Sequence, residues 1–152
     1  MRLTTYTDYS LRVLMRLAIE PGELLTIASI SRAYRISEHH LVKVVHALGR
    51  HGFVETVRGH GGGLRLARAA SQISIGEVVR RMESDFALAA CFRDPKTCRI
   101  QTCCELNRIM NESLEAFLGV LDAYRLSDLV KRPHRLQQLL TRHSARRMAR
   151  TG

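Results

Sequence analysis

The chain has 152 residues, 45% of them hydrophobic, and carries 24 Lys and Arg against 14 Asp and Glu for a formal charge of +10. That length allows one domain, or a small domain with an appendage, and the apolar content excludes general disorder. No apolar run approaches the roughly 20 residues of a membrane span, and the opening MRLTTYTDYS holds no apolar signal block, so a cytoplasmic protein without a membrane partner is expected.

Residues 7–20 place Leu11, Leu14, Met15, Ala18 and Ile19 at helical spacing. Thr7 is the expected N-cap, Asp8 sits in the first turn where the helix dipole favours a carboxylate, and Pro21-Gly22 stops the helix. Residues 26–34 predict a short second helix with Ile27 and Ile30 inward. Ser37 is positioned to cap a third, whose Leu41, Val44, Val45 and Leu48 share one face and which Gly52 ends. Only Arg35-Ile36 separates these two helices, which predicts a helix-turn-helix. The period then changes. Residues 53–58 and 64–68 lean to β-structure and flank Gly59-His60-Gly61-Gly62-Gly63, which predicts a hairpin.

Ser74 and Glu77 predict a capping box for a helix running to about Met82. Residues 85–101 lack periodicity and read as a loop. From Cys104 to about Tyr124, Leu106, Ile109, Met110, Leu114, Phe117, Val120, Leu121 and Tyr124 form an apolar stripe near heptad spacing, which predicts a long helix. Beyond Lys131 only Leu136, Leu139 and Leu140 cluster. The expected fold is mainly α with a small β-hairpin. It divides into a winged helix-turn-helix over residues 1–83, a loop over 84–104, a dimerisation helix over 104–130 and a basic, mobile tail over 131–152.

The charge is concentrated in two zones. Residues 31–68 hold seven basic and two acidic groups with five of the seven histidines, and residues 131–152 hold seven basic groups and no acidic one. Such zones suit a polyanionic partner. Three helices followed by a hairpin make a winged helix, whose third helix enters the major groove of double-stranded DNA. Ser37, Glu38, His39, His40 and Lys43 at the start of that helix are the candidate contacts. The hairpin adds Arg58, His60, Gly61 and Arg65, with Arg68 beside them, around glycines that let backbone approach DNA closely. The glycine run is not a phosphate loop, because Leu64 follows it rather than Lys-Ser or Lys-Thr. No nucleophile–base pair or catalytic motif stands out, so an enzyme is not expected. The long stripe predicts packing against a second copy, which would set two recognition helices on half-sites roughly 34 Å apart.

Cys91, Cys98, Cys103 and Cys104 fall within fourteen positions. Thiolates favour zinc or iron–sulfur clusters. Zinc sites commonly use CxxC pairs, and there is none here. Adjacent Cys103 and Cys104 diverge by about 100° on a helix, which leaves three thiolates and a spare. From the cysteines alone a cluster, zinc, a disulfide and unliganded thiols all remain open.

The order MRLTTYTDYSLRVLMRLA, HLVKVVHALGRHGFVETVRGHGGGLRLA, SIGEVV and CX6CX5C before a long helix resembles the winged-helix iron–sulfur repressors, over about residues 1–130. The resemblance implies a homodimeric transcription factor with one cluster per subunit. One branch of that family takes its fourth ligand from a histidine three residues after the last cysteine; here Asn107 stands there. The nitric-oxide-sensing branch uses three cysteines and an Asp of the first helix, donated across the dimer. On that pattern Cys91, Cys98, Cys104 and Asp8 of the partner subunit hold a [4Fe-4S] cluster, and Cys103 is a bystander. Arg12, four residues from Asp8, would orient the carboxylate. The implied function is repression relieved when nitric oxide damages the cluster, with targets in nitric oxide detoxification. The alternatives are a regulator of the same family sensing cluster supply or redox state, with [2Fe-2S], and a zinc- or cluster-binding protein without operator preference.

Overall fold

The computed structural model describes residues 2–89, 92, 94, 98–100 and 103–148. It is mainly helical with one two-stranded antiparallel hairpin. Helix α1 spans Thr5–Ile19, α2 Ile27–Tyr34 and α3 Glu38–Arg50. Strands β1 (Val54–Val57) and β2 (Gly63–Leu66) pair with Glu55 opposite Arg65 and Thr56 opposite Leu64. Helix α4 spans Ile75–Met82, α5 Glu105–Asp122, α6 Leu126–Leu129 and α7 Pro133–Met148. Among the described residues no helix is long and apolar enough to cross a membrane.

The core follows from the helical spacing. Val13 and Leu14 of α1, Ile30 of α2, Leu41, Val44 and Leu48 of α3, and Val78 and Val79 of α4 are buried together. Phe53 seals the junction between α3 and the hairpin, and the Arg68 guanidinium lies 5.1 Å from its ring centroid. The helix-turn-helix bend uses Arg35 in the left-handed region, at φ 56°, and Ser31 Oγ donates to the Ile36 carbonyl at 2.7 Å. Leu25, in the α1–α2 connection, exchanges backbone hydrogen bonds of 3.0 and 2.8 Å with Leu64. That bridge ties the wing to the helical head.

Several expectations change in detail. Thr4, not Thr7, caps α1: its side chain accepts from the Thr7 amide. Thr7 lies inside the helix and is fully buried. Ser37 holds the N-cap position of α3 but makes no capping side-chain bond. Only half of the Ser74 box forms. Ser74 Oγ accepts from the Glu77 amide, while the Glu77 carboxylate is drawn to Arg68 at 2.8 Å. The C-terminal stretch expected as a tail is helical over Pro133–Met148 and packs against α2 and α1, with Gln137 Nε2 donating to Glu20.

The long helix docks on the head through α4. A Cβ on Gly76 would lie 2.0 Å from Asp122 Oδ1 and 2.9 Å from the Asp122 backbone nitrogen, so only glycine permits this approach. Arg80 pairs with both Asp122 oxygens across the same contact. Gly76→Ala is expected to cost about 1–3 kcal/mol, as overpacking does, and to break the Arg80–Asp122 pair. A melting temperature unchanged from wild type would show that α5 is not seated as described. Hydrogen bonding to Arg80 holds the Asp122 carboxyl below its ordinary range, and the Arg125 amide with Lys131 does the same for Asp128. A lowered folded-state pKa contributes stability above the unfolded value, and that contribution fades as pH falls through the folded value. Stability is therefore expected to decline below about pH 4, the ordinary carboxylate range. In the variant Asp122→Asn this acid-side decline should be shallower by denaturant titration.

Candidate functional site

Two candidate sites can be traced on the chain, and the start of α1 bonds to Glu83 and to Lys43 of α3. The first is the outward side of the head. Ser37, Glu38, His39, His40 and Lys43 are all exposed at the start of α3, and His46 and Arg50 continue that exposure toward its end. They project outward because the inward positions are taken by Leu41, Val44, Val45 and Leu48. His40 also leans on Tyr9 of α1, with ring centroids 6.4 Å apart. At the wing tip Arg58, His60 and Gly61 are exposed, and Gly61 has φ 79°. A Cβ on Gly62 would lie 2.3 Å from the Val57 carbonyl oxygen, so the turn requires glycine there. Arg65 is exposed but its Nε is engaged by Glu55 on the opposite strand. Arg68 is turned away from the wing surface, against Phe53 and Glu77. Its expected place in a DNA-facing group is replaced by a packing role.

The second candidate comprises the described cysteines Cys98, Cys103 and Cys104 and, on α1, Asp8 with Arg12. Cys98 and Cys104 are half-buried; Cys103 is exposed and its thiol donates to the Ile100 carbonyl at 3.4 Å. Cys104 occupies the N-cap position of α5. All three are free thiols, and Cys91 lies outside the described residues. Asp8 and Arg12 are both 46% exposed on α1 and paired at 2.9 Å. The Arg12 guanidinium also lies 5.9 Å from the ring centroid of Tyr34, the last residue of α2. Burial raises the Tyr34 hydroxyl pKa, against the opposing charges of Arg16 and Arg12. Among the described residues no three metal-ligating side chains converge. The ligand set implied by the resemblance needs Cys91 and a carboxylate from a second chain.

The donor set fits an iron–sulfur group in kind. It offers soft sulfur donors at Cys98 and Cys104 and an accessible Asp8 carboxylate paired with the Arg12 guanidinium.

The residues that join the two sites carry no signal in the sequence. Glu83 Oε2 accepts from the Thr4 amide at 2.9 Å, from Thr4 Oγ1 at 3.1 Å and from Thr7 Oγ1 at 2.8 Å. One carboxylate oxygen thus fastens the start of α1 to the beginning of the cysteine segment. In the same first turn Tyr6 Oη donates to the Lys43 carbonyl at 2.9 Å, fastening α1 to α3. These partners are separated by 79, 76 and 37 positions, and no local spacing signals them.

A helix-turn-helix with a wing, exposing polar and basic side chains from its third helix, defines a winged-helix DNA-binding protein. A family model described as "Rrf2: Iron-dependent Transcriptional regulator" matches residues 3–132, and the chain belongs to that family. It is 52% identical over 142 residues to the HTH-type transcriptional regulator NsrR of Bacillus subtilis, covering 92% of this chain and 97% of that one. It is 46% identical to the NsrR of Bacillus licheniformis, covering 93% and 100%. Among solved structures it resembles CymR, the global cysteine regulator of B. subtilis, with TM-score 0.68 and 26% identity over 86% of this chain and 97% of that one. It shares its fold with the IscR of T. potens, at TM-score 0.71 and 23% identity over 86% and 87% of the two chains. The relatives are transcriptional regulators rather than enzymes, in keeping with the lack of a catalytic motif in the sequence.

Proposed function

We propose that this regulator is a cytoplasmic homodimeric repressor whose grip on a pseudo-palindromic operator depends on a [4Fe-4S] cluster and is released by nitric oxide. Cys91, Cys98, Cys104 and Asp8 of the partner subunit would hold the cluster. When bound, the cluster supplies the iron with which nitric oxide reacts. The sequence resemblance to the nitric-oxide-sensing branch supports this reading, and so do relatives named NsrR at 43–52% identity.

The observation that carries it is the double fastening of α1. The same helix presents Asp8 on an exposed face, is tied by Thr4 and Thr7 to Glu83 at the head of the cysteine segment, and is tied by Tyr6 to Lys43 of the recognition helix. A change in how Asp8 is held therefore moves a helix that the recognition helix must follow. Arg12 orients the carboxylate and, by resting over Tyr34, also touches the helix-turn-helix bend. Dimerisation is supported by the face of α5, where Leu106, Ile109 and Val120 are 63%, 48% and 60% exposed. Asn107 at the position of the alternative histidine ligand supports the carboxylate-ligated branch over the branch sensing cluster supply.

Footprinting with anaerobically purified and iron-stripped protein tests the reading. A protected, palindromic site seen only with the loaded form is expected. Equal, weak and salt-sensitive binding of both forms to all sequences contradicts it and favours a cluster or zinc protein without operator preference. Native mass spectrometry of the same preparation is expected to give the mass of [4Fe-4S], and a [2Fe-2S] mass removes the nitric-oxide assignment.

The basic C-terminal helix adds non-specific attraction to DNA. Removing residues 131–152 deletes seven cationic residues and no acidic one. The slope of log affinity against log salt is expected to flatten, since each phosphate that is no longer neutralised takes about 0.9 from it, while cluster absorbance persists. An unchanged slope means that this helix does not meet DNA.

A further inference from the structure

Among the described residues, the exposed large apolar side chains fall in three places. Ile100, Leu106, Ile109, Val120, Tyr124, Leu129 and Leu139 lie from the cysteine segment onward, and Leu24 precedes α2. Val42 is different: it is 52% exposed on α3, one turn from exposed His39, Glu38 and His46 and beside exposed Lys43. A single exposed aliphatic residue is ordinary on a protein surface. This one lies on the outward side of the recognition helix, within its first two turns, where side chains meet base edges.

Its presentation is fixed from both directions. A β-branched residue in a helix keeps essentially one side-chain rotamer, so the two methyls of Val42 have a set direction. The helix cannot easily roll, because the next residue's carbonyl accepts from Tyr6 Oη at 2.9 Å and the preceding residue, Leu41, is fully buried. Valine has no donor or acceptor to offer a base edge. The major groove has one apolar feature, the thymine 5-methyl group, present on T and absent from A, G and C.

We propose that Val42 is a specificity-determining residue that packs on a thymine 5-methyl group in each operator half-site. The inference rests on the DNA-binding reading above. It adds that part of the sequence preference is apolar and does not depend on the basic and imidazole groups around it. Burying one methyl against an aliphatic partner corresponds to about a fourfold change in affinity, and two half-sites to about fifteenfold.

The test begins with operator duplexes selected from a random pool by the anaerobically purified full-length protein. Each thymine of the selected half-site is then replaced by uracil, which removes only the 5-methyl group. With the wild type, uracil at one position per half-site is expected to lower affinity about fourfold at each, and uracil elsewhere to leave it unchanged. With Val42→Ala that position should lose its sensitivity, and with Val42→Thr, which keeps one methyl and the β-branch, it should keep part of it. If a sequence is enriched but uracil costs the wild type and Val42→Ala equally at every position, the assignment of Val42 is overturned. If no sequence is enriched, the operator reading itself fails, and the proposal fails with it.

Discussion

Replacing Cys98 or Cys104 with alanine is expected to abolish the visible absorbance of anaerobically purified protein and to lower operator affinity about a thousandfold, or roughly 4 kcal/mol. Cys91→Ala should do the same. Cys103→Ala should leave both properties intact, although Cys103 adjoins Cys104, because its exposed thiol is directed to the Ile100 carbonyl. The contrast between neighbours gives the prediction its force. Loss of absorbance with Cys103→Ala and retention with Cys104→Ala would exchange their roles. Asp8→Ala should retain the three thiolates but give a short-lived chromophore, since one donor of the set is gone while the tie of α1 to Glu83 remains.

The second large effect concerns assembly. Ile109 and Val120 are exposed on α5, so replacing both with glutamate should leave the folded chain intact and place charges in the face proposed to meet a second copy. Sedimentation is expected to show a monomer. Operator affinity should drop by about 10²–10⁴, the gain that two linked half-sites give over one. The melting curve of the dilute variant should keep a single cooperative transition. A variant that remains dimeric would mean that subunits meet through another surface.

The sequence was most informative where structure is local. Leu41, Val44, Val45 and Leu48 announce α3 and, by elimination, its outward side chains, and all four are buried as their spacing requires. The hairpin is legible from its glycines, and the Asp8–Arg12 pair from a separation of four residues. What escaped reading depends on distant partners. Thr7 reads as the N-cap from local pattern alone, but Glu83, from 79 and 76 positions away, accepts from the Thr4 and Thr7 hydroxyls, and Thr7 ends up buried inside the helix. Arg68 reads as one more wing cation, yet Phe53 and Glu77 claim it. Glu77 reads as the second half of a capping box, and that same ion pair withdraws it. Residues 133–148 carry too few apolar residues to announce a helix, and their packing partners are the faces of α1 and α2.

Under the proposed function these long-range contacts would couple the two candidate sites. Lys43 and Glu83 share no local pattern, yet both hold the start of α1 through Thr4, Tyr6 and Thr7, next to Asp8. Cooperative linkage between two sites needs an element on which both act. In the proposed function α1 would fill that role, through hydrogen bonds of 2.8–2.9 Å to Glu83 and Lys43.

The most direct test is an anaerobic titration of the loaded dimer with nitric oxide in which visible absorbance and operator binding are followed in one sample. The account predicts that the two signals fall together and end at the affinity of iron-stripped protein. Operator occupancy that stays full after the absorbance has gone, matched by iron-stripped protein binding as tightly as loaded protein, would contradict it.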